Sequence, residues 1–344
     1  MQTIRIVLVG VGNLGRRFCE IVAPRQAMLA ERYGLALRLV GAADSRGAAY
    51  DPAGLDWEAV AHLKAAGMSI AAYPEVGRAR MTAIELVTQA EADMLLEASP
   101  VNLAQGGEPG LTCVRTALQR GWHVVTPNKG PLVLAYQELH ALAAEHGVKL
   151  RFDGTVAGGL PLINVGQRDL RGAVIEQLEA VPNLVTGYIM DLLSEGLSRE
   201  AALARAREEG VLEADASWDL DGWDAAAKLT ILANAVLDYP ARLEEVSRVG
   251  IMALRPEDLL AARERGYCYR LLAQAQRHPD GGYALTVAPV ALSAEHPLGQ
   301  LSSKQLGAVI VTDIYGTLKI VIDEPDPIPS AATMLRDLLD IYLS

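Results

Sequence analysis

Cysteine is scarce in this chain of 344 residues, which contains three, at Cys19, Cys113 and Cys268. Their spacing is neither that of a CxxC redox pair nor that of a zinc site. No leader with a basic start, an apolar centre and a small-residue cleavage site opens the chain. The sequence therefore predicts buried, reduced thiols in a cytoplasmic protein.

Basic residues and long apolar runs are also few. Lys and Arg number 31 against 42 Asp and Glu, so the net charge is −11. Such a surface repels nucleic acids and anionic membranes. No apolar run reaches the ~20 residues that a membrane span needs. We therefore expect no nucleic-acid partner and no membrane partner, and the length leaves room for two domains.

Apolar segments alternate with helical segments through the first half of the chain. The strand-like segments lie at 3–9, 37–43, 93–99, 122–126 and 148–152. Strands that alternate with helices predict an α/β domain with a doubly wound, Rossmann-like parallel sheet. We place this domain at 1–153.

The pattern changes after residue 153. A long helical region at 186–265 is followed by alternating segments typical of an antiparallel sheet, at 267–277, 283–292, 307–312 and 315–322. This indicates a second, α+β domain over 154–324. A proline-rich stretch then leads into a final amphipathic helix at 331–343.

The segment "GVGNLG" directly follows the first predicted strand and opens a helix. Gly10 allows a tight turn, Gly12 allows backbone to approach a pyrophosphate, and Gly15 allows close packing of helix on strand. The helix N-terminus offers free N–H groups to phosphates. The glycine spacing alone is weak evidence, but its place in a βαβ pattern makes a merely tight turn the poorer explanation. We assign Asn13 and Leu14 to the same dinucleotide site.

Asp44 and Arg46 follow the second strand, in "GAADSRG". An acid at this position accepts hydrogen bonds from the ribose diol of NAD, whereas an arginine can pair with the 2′-phosphate of NADP. Either residue can also be a solvated loop charge. The residues slightly favour NAD and leave NADP open. Ser99 and Pro100, which follow the third strand, are further cofactor candidates.

Asn128 and Lys129 follow another strand, in "HVVTPNKGPL". Ligands of doubly wound sheets bind at the carboxyl ends of the strands. A single lysine there is more often a surface charge than a catalyst. Neighbouring prolines and glycine stiffen this backbone, however, which favours a functional position for both residues.

The glycine-rich turn "FDGTVAGGLP" at 152–161 contains exposed carbonyls and the carboxylate of Asp153. Oxygen ligands of this kind suit a hard cation such as Na⁺. A flexible connection between the domains explains the same turn, and on the residues alone it is the better explanation.

Acids crowd the segment before a strongly helical run. Five lie within twelve residues: Glu213, Asp215, Asp219, Asp221 and Asp224. Helix capping accounts for one or two acids. Lys228 lies one turn after Asp224, where an ordinary ion pair worth ~0.3–0.5 kcal/mol is one explanation. The other is a pocket that binds a cationic group, with Lys228 placed for proton transfer at a carbonyl.

Taken together, the motifs resemble homoserine dehydrogenase from end to end, in the single-function form without an appended regulatory domain. The resemblance runs through "GVGNLG", "GEPGLTCVRTALQRGWHVVTPNKGPL", "FDGTVAGGLPLIN", "EGLSREAALARAREEGVLEAD", "DLDGWDAAAKLTILA" and "HPLGQL". It implies NAD(P)-dependent interconversion of L-aspartate 4-semialdehyde and L-homoserine, on the way to threonine and methionine. It also implies a homodimer formed through the sheet of the second domain, and a last helix that returns to the first domain.

The same resemblance implies roles for individual residues. Lys228 matches the family's proton-transferring lysine, and Lys129 the second active-site lysine near substrate and nicotinamide. Glu213 and Asp224 match the carboxylates that hold the substrate, and Asp219 matches a supporting acid. The loop of the family's monovalent cation, Na⁺ or K⁺, falls on four residues: Asp153, Val156, Gly158 and Leu160.

Three segments depart from the family's pattern. Asp153 replaces a glutamate, Leu184 and Val185 replace a glycine–threonine pair, and "DEPDPIPSAAT" replaces a glycine-rich turn. Two alternatives therefore stand beside homoserine dehydrogenase: a related dehydrogenase for another small amino- or oxo-acid aldehyde, and a non-catalytic NAD(P) sensor. Two retained lysines argue against a sensor.

Overall fold

The computed structural model of the protein describes residues 1–212 and 216–343. These residues form two compact units. The first comprises Met1–Thr155 together with the chain from Asp326 onward, and the second comprises Val156–Pro325. The predicted domain limits at residues 153 and 324 lie close to these points.

The first unit is built on a seven-stranded sheet in the order β4–β3–β2–β1–β5–β6–β7. Its strands are β1 (Gln2–Val9), β2 (Leu35–Asp44), β3 (Gly47–Leu55), β4 (Gly77–Ala79), β5 (Met94–Glu97), β6 (His123–Val125) and β7 (Leu150–Arg151). β2, β1, β5, β6 and β7 run parallel, which confirms the Rossmann-like sheet. β3 and β4 extend its β2 edge in antiparallel fashion. This extension was not predicted, because "GAAYDPAGL" is poor in the β-branched residues typical of strands.

Helices cover the sheet of the first unit. They are α1 (Asn13–Val22), α2 (Gln26–Tyr33), α3 (Trp57–Ala65), α4 (Ala83–Gln89), α5 (Gly110–Gln119), α6 (Lys129–Glu145) and the C-terminal α13 (Ile328–Leu343). Met334 and Leu338 of α13 are buried in one apolar cluster with Phe18 of α1. The C-terminal helix thus begins at Ile328, slightly earlier than predicted, and belongs to the first unit.

The second unit is built on a six-stranded sheet in the order β13–β12–β8–β10–β11–β9. Its strands are β8 (Ile175–Val181), β9 (Ser247–Arg248), β10 (Tyr267–Arg277), β11 (Tyr283–Ser293), β12 (Gln305–Thr312) and β13 (Gly316–Asp323). All neighbours pair antiparallel except β9 with β11. The predicted antiparallel sheet is therefore present, with β8 at its centre.

The α-helices described in the second unit lie before β10 in the chain. They are α7 (Leu162–Asn164), α8 (Leu184–Ser194), α9 (Arg199–Glu208), α10 (Ser217–Leu220), α11 (Trp223–Val236) and α12 (Pro256–Glu264). α8, α11 and α12 pack against β10. This places the segment that contains Asp224 and Lys228 on α11, directly against the sheet. In the described parts of the chain, each helix is too short or too polar to cross a membrane.

Candidate active site

The turn after β1 has the geometry that the three glycines predict. Gly10 has φ +85°, and a Cβ there would lie 2.3 Å from the backbone N of Ser99. A Cβ on Gly15 would lie 2.4 Å from the carbonyl oxygen of Gly10. At Gly12, by contrast, no described atom lies within 4 Å of a Cβ. Gly12 thus faces open space at the start of α1, where a dinucleotide's phosphates can approach the free N–H groups.

A cavity of about 680 Å³ opens beside this turn, within the first unit. Its walls include five of the residues predicted to bind the cofactor: Gly10, Asp44, Arg46, Ser99 and Pro100. Arg80 and Ile84 form part of another wall. The volume is in the range of cofactor pockets. The residues present therefore fit the adenosine half of a dinucleotide.

The carboxylate of Asp44, in the wall of this cavity, accepts hydrogen bonds at both of its oxygens. Its Oδ1 accepts hydrogen bonds from the backbone N of Arg46 and from the hydroxyl of Ser69, both at 2.9 Å. Its Oδ2 accepts from Nζ of Lys64 at 2.6 Å and from the backbone N of Ile70 at 3.0 Å. Burial raises the pKa of Asp44, but these hydrogen bonds outweigh it and lower the pKa to about 2. A carboxylate offers about four acceptor sites, so none is left over for a ribose diol.

The loops after β5 and β6 meet around a buried acid, Glu97. Asn128 caps α6 by accepting the N–H of Gly130 at 2.9 Å, which places Lys129 at the first position of the helix. The backbone N of Asn128 also donates to the hydroxyl of Thr126 at 3.0 Å. Asn128 is buried and Lys129 is partly exposed. Both residues thus stand at the carboxyl edge of the sheet, as predicted from their position after a strand.

In the second unit, the acids and the lysine form one cluster. Oδ2 of Asp224 lies 2.7 Å from Nζ of Lys228. Nζ of Lys228 also donates to the carbonyl oxygen of Pro182 at 2.6 Å. Nδ2 of Asn183 donates to Oδ1 of Asp219 at 2.6 Å and to Oδ2 of Asp224 at 2.7 Å. The cluster therefore contains two carboxylates, one ammonium group and an amide that joins the acids.

From Ser217 onward, the acidic segment comprises the short helix α10 and the start of α11, with a turn between them. α10 ends before Asp221, and Gly222 adopts a left-handed φ of +80° that a side chain would strain. Trp218 and Trp223 stack across this turn with ring centroids 5.7 Å apart, and the Arg248 guanidinium lies over Trp223. The turn brings Asp219 and Asp224 within reach of the same Asn183 side chain.

Sequence reasoning missed Asn183 and Glu97. Asn183 precedes α8 and caps it by accepting the N–H of Thr186, a pattern that cap rules could have found. Glu97 ends a buried strand in "MLLE", and an acid inside such a run is a signal of a specific partner set. Glu213, which the resemblance assigns to the substrate, lies outside the described residues.

The predicted cation loop is divided between the units. Asp153 is in the first unit, where its Oδ2 accepts a hydrogen bond from Arg336 at 2.5 Å. Val156, Gly158 and Leu160 are in the second, where the Gly159 N–H donates to the carboxylate of Glu324 at 3.1 Å. Within the described residues, no group of three or more His, Cys, Asp or Glu side chains is arranged to hold a metal ion. The cation site stays a prediction.

Comparison with known families identifies the family of the chain. The family model for the homoserine dehydrogenase NAD-binding domain matches residues 10–153, and the model for homoserine dehydrogenase matches residues 161–339. Together they cover most of the chain.

Individual relatives agree with this. The homoserine dehydrogenase of Methanocaldococcus jannaschii is 35% identical over 98% of both chains. The NAD(+)-dependent homoserine dehydrogenase of Pseudomonas canavaninivorans is 31% identical over 100% of this chain and 97% of its own. A hyperthermophilic archaeal homoserine dehydrogenase, solved in complex with NADPH, superposes with a TM-score of 0.86 at 27% identity, covering 99% of this chain and 98% of the other. The chain therefore belongs to the homoserine dehydrogenase family of NAD(P)-dependent oxidoreductases.

Proposed function

We propose that Lys228 carries the proton in the interconversion of L-aspartate 4-semialdehyde and L-homoserine. A bound nicotinamide dinucleotide supplies or accepts the hydride. The single observation that carries the proposal is the Lys228–Asp224 pair, joined at 2.7 Å. Its side chains are largely buried, at 13% and 8% exposure. An ammonium group held in this way is a positioned acid for an oxygen that alternates between carbonyl and alcohol.

Asp219 and Asp224 bind the α-ammonium group of the substrate in this proposal. The amide of Asn183 donates to both carboxylates and so fixes their separation. Two carboxylates held close together in this way attract a cationic group such as the substrate's ammonium. Glu213 completes the set as the resemblance implies.

Lys129 contacts the substrate and the nicotinamide from the first unit. Support comes from its place at the first position of α6, at the sheet edge where ligands of doubly wound folds bind. Its backbone is held on both sides, by the Asn128 cap and by the hydrogen bond between Asn128 and Thr126.

The cofactor that this chain prefers is NADPH in our proposal, against the slight preference for NAD that the sequence suggested. Asp44 has its four acceptor positions filled from within the unit. Arg46 and Arg80 line the same cavity, and arginine side chains can bind a 2′-phosphate. The relatives differ here, since one is named as NAD(+)-dependent and another was solved with NADPH.

The protein works as a cytoplasmic homodimer assembled through the sheet of the second unit. Exposed apolar side chains on and beside β13 support such an interface, among them Ile314, Tyr315 and Val321. Sedimentation of the full chain tests it: a mass of one chain at micromolar concentration contradicts the dimer.

Turnover of aspartate semialdehyde, followed by the nicotinamide absorbance, tests the catalytic proposal. We expect Lys228→Ala to lower kcat by ~10²–10⁴-fold with little change in cofactor affinity, the usual range for losing a positioned acid–base group. Lys304→Ala, an exposed lysine of the same unit, is the control and should retain full activity. Near-normal kcat in Lys228→Ala refutes the role.

The same assay separates the alternatives. Turnover with other small aldehydes and none with aspartate semialdehyde indicates the related dehydrogenase. Tight binding of NADPH or NADH without turnover of any aldehyde indicates the sensor.

A further inference from the structure

Glu97 is a fully buried acid whose partners are all neutral. It is the last residue of β5 and has 0% of its surface exposed. Its hydrogen bonds come from Ser99 and Thr126, and it forms no salt bridge with any described residue. Burying a carboxylate costs several kcal/mol unless it is well satisfied. Such a group is retained in a core only where its hydrogen bonds do something that an apolar side chain cannot.

The two oxygens of Glu97 bind two different loops. Oε1 accepts the backbone N–H of Ser99 at 2.8 Å and the Ser99 hydroxyl, in the loop after β5. Oε2 accepts the hydroxyl of Thr126 at 3.1 Å, in the loop after β6. The side-chain amide of Asn128 donates to the Ser99 hydroxyl oxygen at 3.4 Å. Glu97 therefore joins the loop that lines the cofactor cavity to the loop that leads to Lys129.

The connection continues to the backbone of Lys129. Thr126 donates its hydroxyl to Glu97 and accepts the backbone N–H of Asn128. Asn128 then accepts the N–H of Gly130. Lys129 is the residue between these two fixed points, so its Cα position follows the position of the Glu97 carboxylate.

The start of α5 is shaped around this group. A Cβ on Gly110 would lie 2.6 Å from Nδ2 of Asn128 and 3.2 Å from Oε2 of Glu97. Both distances are shorter than ordinary van der Waals contact. Glycine at position 110 is therefore what allows the Glu97–Asn128 contact to form.

We propose that Glu97 is a positioning residue that, anchored to the Ser99 loop, holds Lys129 in register for the reaction. Three donors converge on it: the Ser99 N–H, the Ser99 hydroxyl and the Thr126 hydroxyl. The two oxygens of a carboxyl side chain can accept all three, whereas a glutamine amide has only one accepting oxygen. This proposal rests on the role of Lys129 in the proposed function.

A double-mutant cycle on the full-length protein tests it. Glu97→Gln keeps the shape of the side chain but turns an NH₂ donor toward one of the two loops. We expect kcat to fall ~10–100-fold, the cost of a small misplacement of a catalytic group, with the Kd of NADPH changed less than ~3-fold. In the Lys129→Ala background the same substitution should lower kcat by less than ~2-fold, because a residue that acts through Lys129 has nothing left to position.

One control variant and one substitute variant complete the experiment. Glu138→Gln removes an exposed acid from α6 itself and should leave kcat unchanged in both backgrounds. If Glu97→Gln does not fold, Thr126→Val takes its place in the cycle, since it removes the hydroxyl that links Glu97 to Asn128.

The failures of the two proposals can be told apart. Equal kcat losses from the Glu97 variant in the wild-type and Lys129→Ala backgrounds overturn the positioning role, as does an unchanged kcat in the single variant. Near-normal kcat in Lys129→Ala alone overturns the proposed role of Lys129 instead.

Discussion

Each unit contains a lysine to which the proposed function gives a role, and a buried carboxylate near it, but the two carboxylates are satisfied differently. In the second unit, Asp224 pairs directly with Lys228. In the first unit, Glu97 is held by hydroxyl and amide donors, and its influence reaches Lys129 through Thr126 and Asn128. The difference shows that a buried charge can be balanced by a counter-charge or by several dipoles. The ion pair with Asp224 holds the side chain of Lys228 in the cluster. The hydrogen bonds around Glu97 fix only the backbone that precedes Lys129.

The two arrangements should also fail differently. Removing one member of an ion pair leaves the other charge buried and uncompensated, which is costly. Removing one dipole among several leaves a carboxylate that keeps its other hydrogen bonds, which costs less. Substitutions in the second unit are therefore expected to have the larger effects.

Neutralising Asp224 is expected to have the largest effect. Asp224→Asn leaves the Lys228 ammonium group without its carboxylate, and we expect kcat/KM for aspartate semialdehyde to fall at least ~10²-fold. Asp219→Asn is the variant for comparison, because Asp219 accepts a hydrogen bond from the Asn183 amide at 2.6 Å, whereas Asp224 forms the ion pair with Lys228. Its loss should be clearly smaller. Steady-state kinetics of both variants test this expectation. Equal losses of kcat/KM would contradict a special importance of the ion pair between Asp224 and Lys228.

Filling the space at Gly110 should disturb the first unit more moderately. We expect Gly110→Ala to lower the free energy of unfolding by ~1–3 kcal/mol, as overpacking does, because its Cβ meets Asn128 and Glu97. Gly187→Ala, in α8 of the second unit, adds a Cβ with no described atom within 4 Å. It should raise the same free energy by ~0.5–1 kcal/mol. Urea denaturation measures both, and an unchanged or raised free energy of unfolding in Gly110→Ala would show that the Gly110 contact is unimportant.

A third buried carboxylate, Asp44, sharpens the comparison at the adenosine end. It has both a counter-charge in Lys64 and neutral donors, and so we assign the reading of the 2′-phosphate to Arg46 and Arg80. Arg46→Ala and Arg80→Ala should each lower the ratio of kcat/KM for NADPH to that for NADH by ~10-fold, the loss expected for one charge-assisted hydrogen bond. Arg25→Ala, outside the cavity lining, is the control. An unchanged ratio in both cavity variants removes the basis for the NADPH preference.

The smallest expected effects are changes of stability with pH, and their signs are opposite. The pKa of Asp44 is lowered to about 2 in the folded protein, so its stabilisation is present above the unfolded pKa and is lost as the pH falls. Burial raises the pKa of Glu97, so its contribution is most favourable at low pH and declines as the pH rises through the folded pKa.

Denaturation between about pH 3 and pH 7 should therefore separate the two acids. The stability advantage of wild type over Asp44→Asn should shrink toward pH 3. The stability of wild type relative to Glu97→Gln should instead decline toward pH 7. If the free energies of unfolding of wild type and a variant change in parallel with pH, the acid substituted in that variant has the same pKa in the folded and unfolded states.

Much of the first unit could be predicted, because its signals are local. Gly10, Gly12 and Gly15 mark the dinucleotide turn by their spacing within six residues. Asn128 and Lys129 follow a short apolar strand and precede a helix. The β3–β4 extension could not be predicted, since its pairing with β2 depends on contacts between residues distant in the chain and not on strand propensity.

By itself, the sequence determined the order of strands and helices, the dinucleotide turn and the family, because these depend on short-range periodicity and on motifs of fixed spacing. The tertiary structure alone decided which groups far apart in the chain hydrogen-bond to one another. Lys64 and Ser69 reach Asp44 from 20 or more residues away, Asn183 reaches Asp219 and Asp224 from more than 30, and Thr126 reaches Glu97 from 29. Hydrogen bonds and ion pairs form at about 3 Å in space whatever the separation along the chain, so only the folded chain shows them.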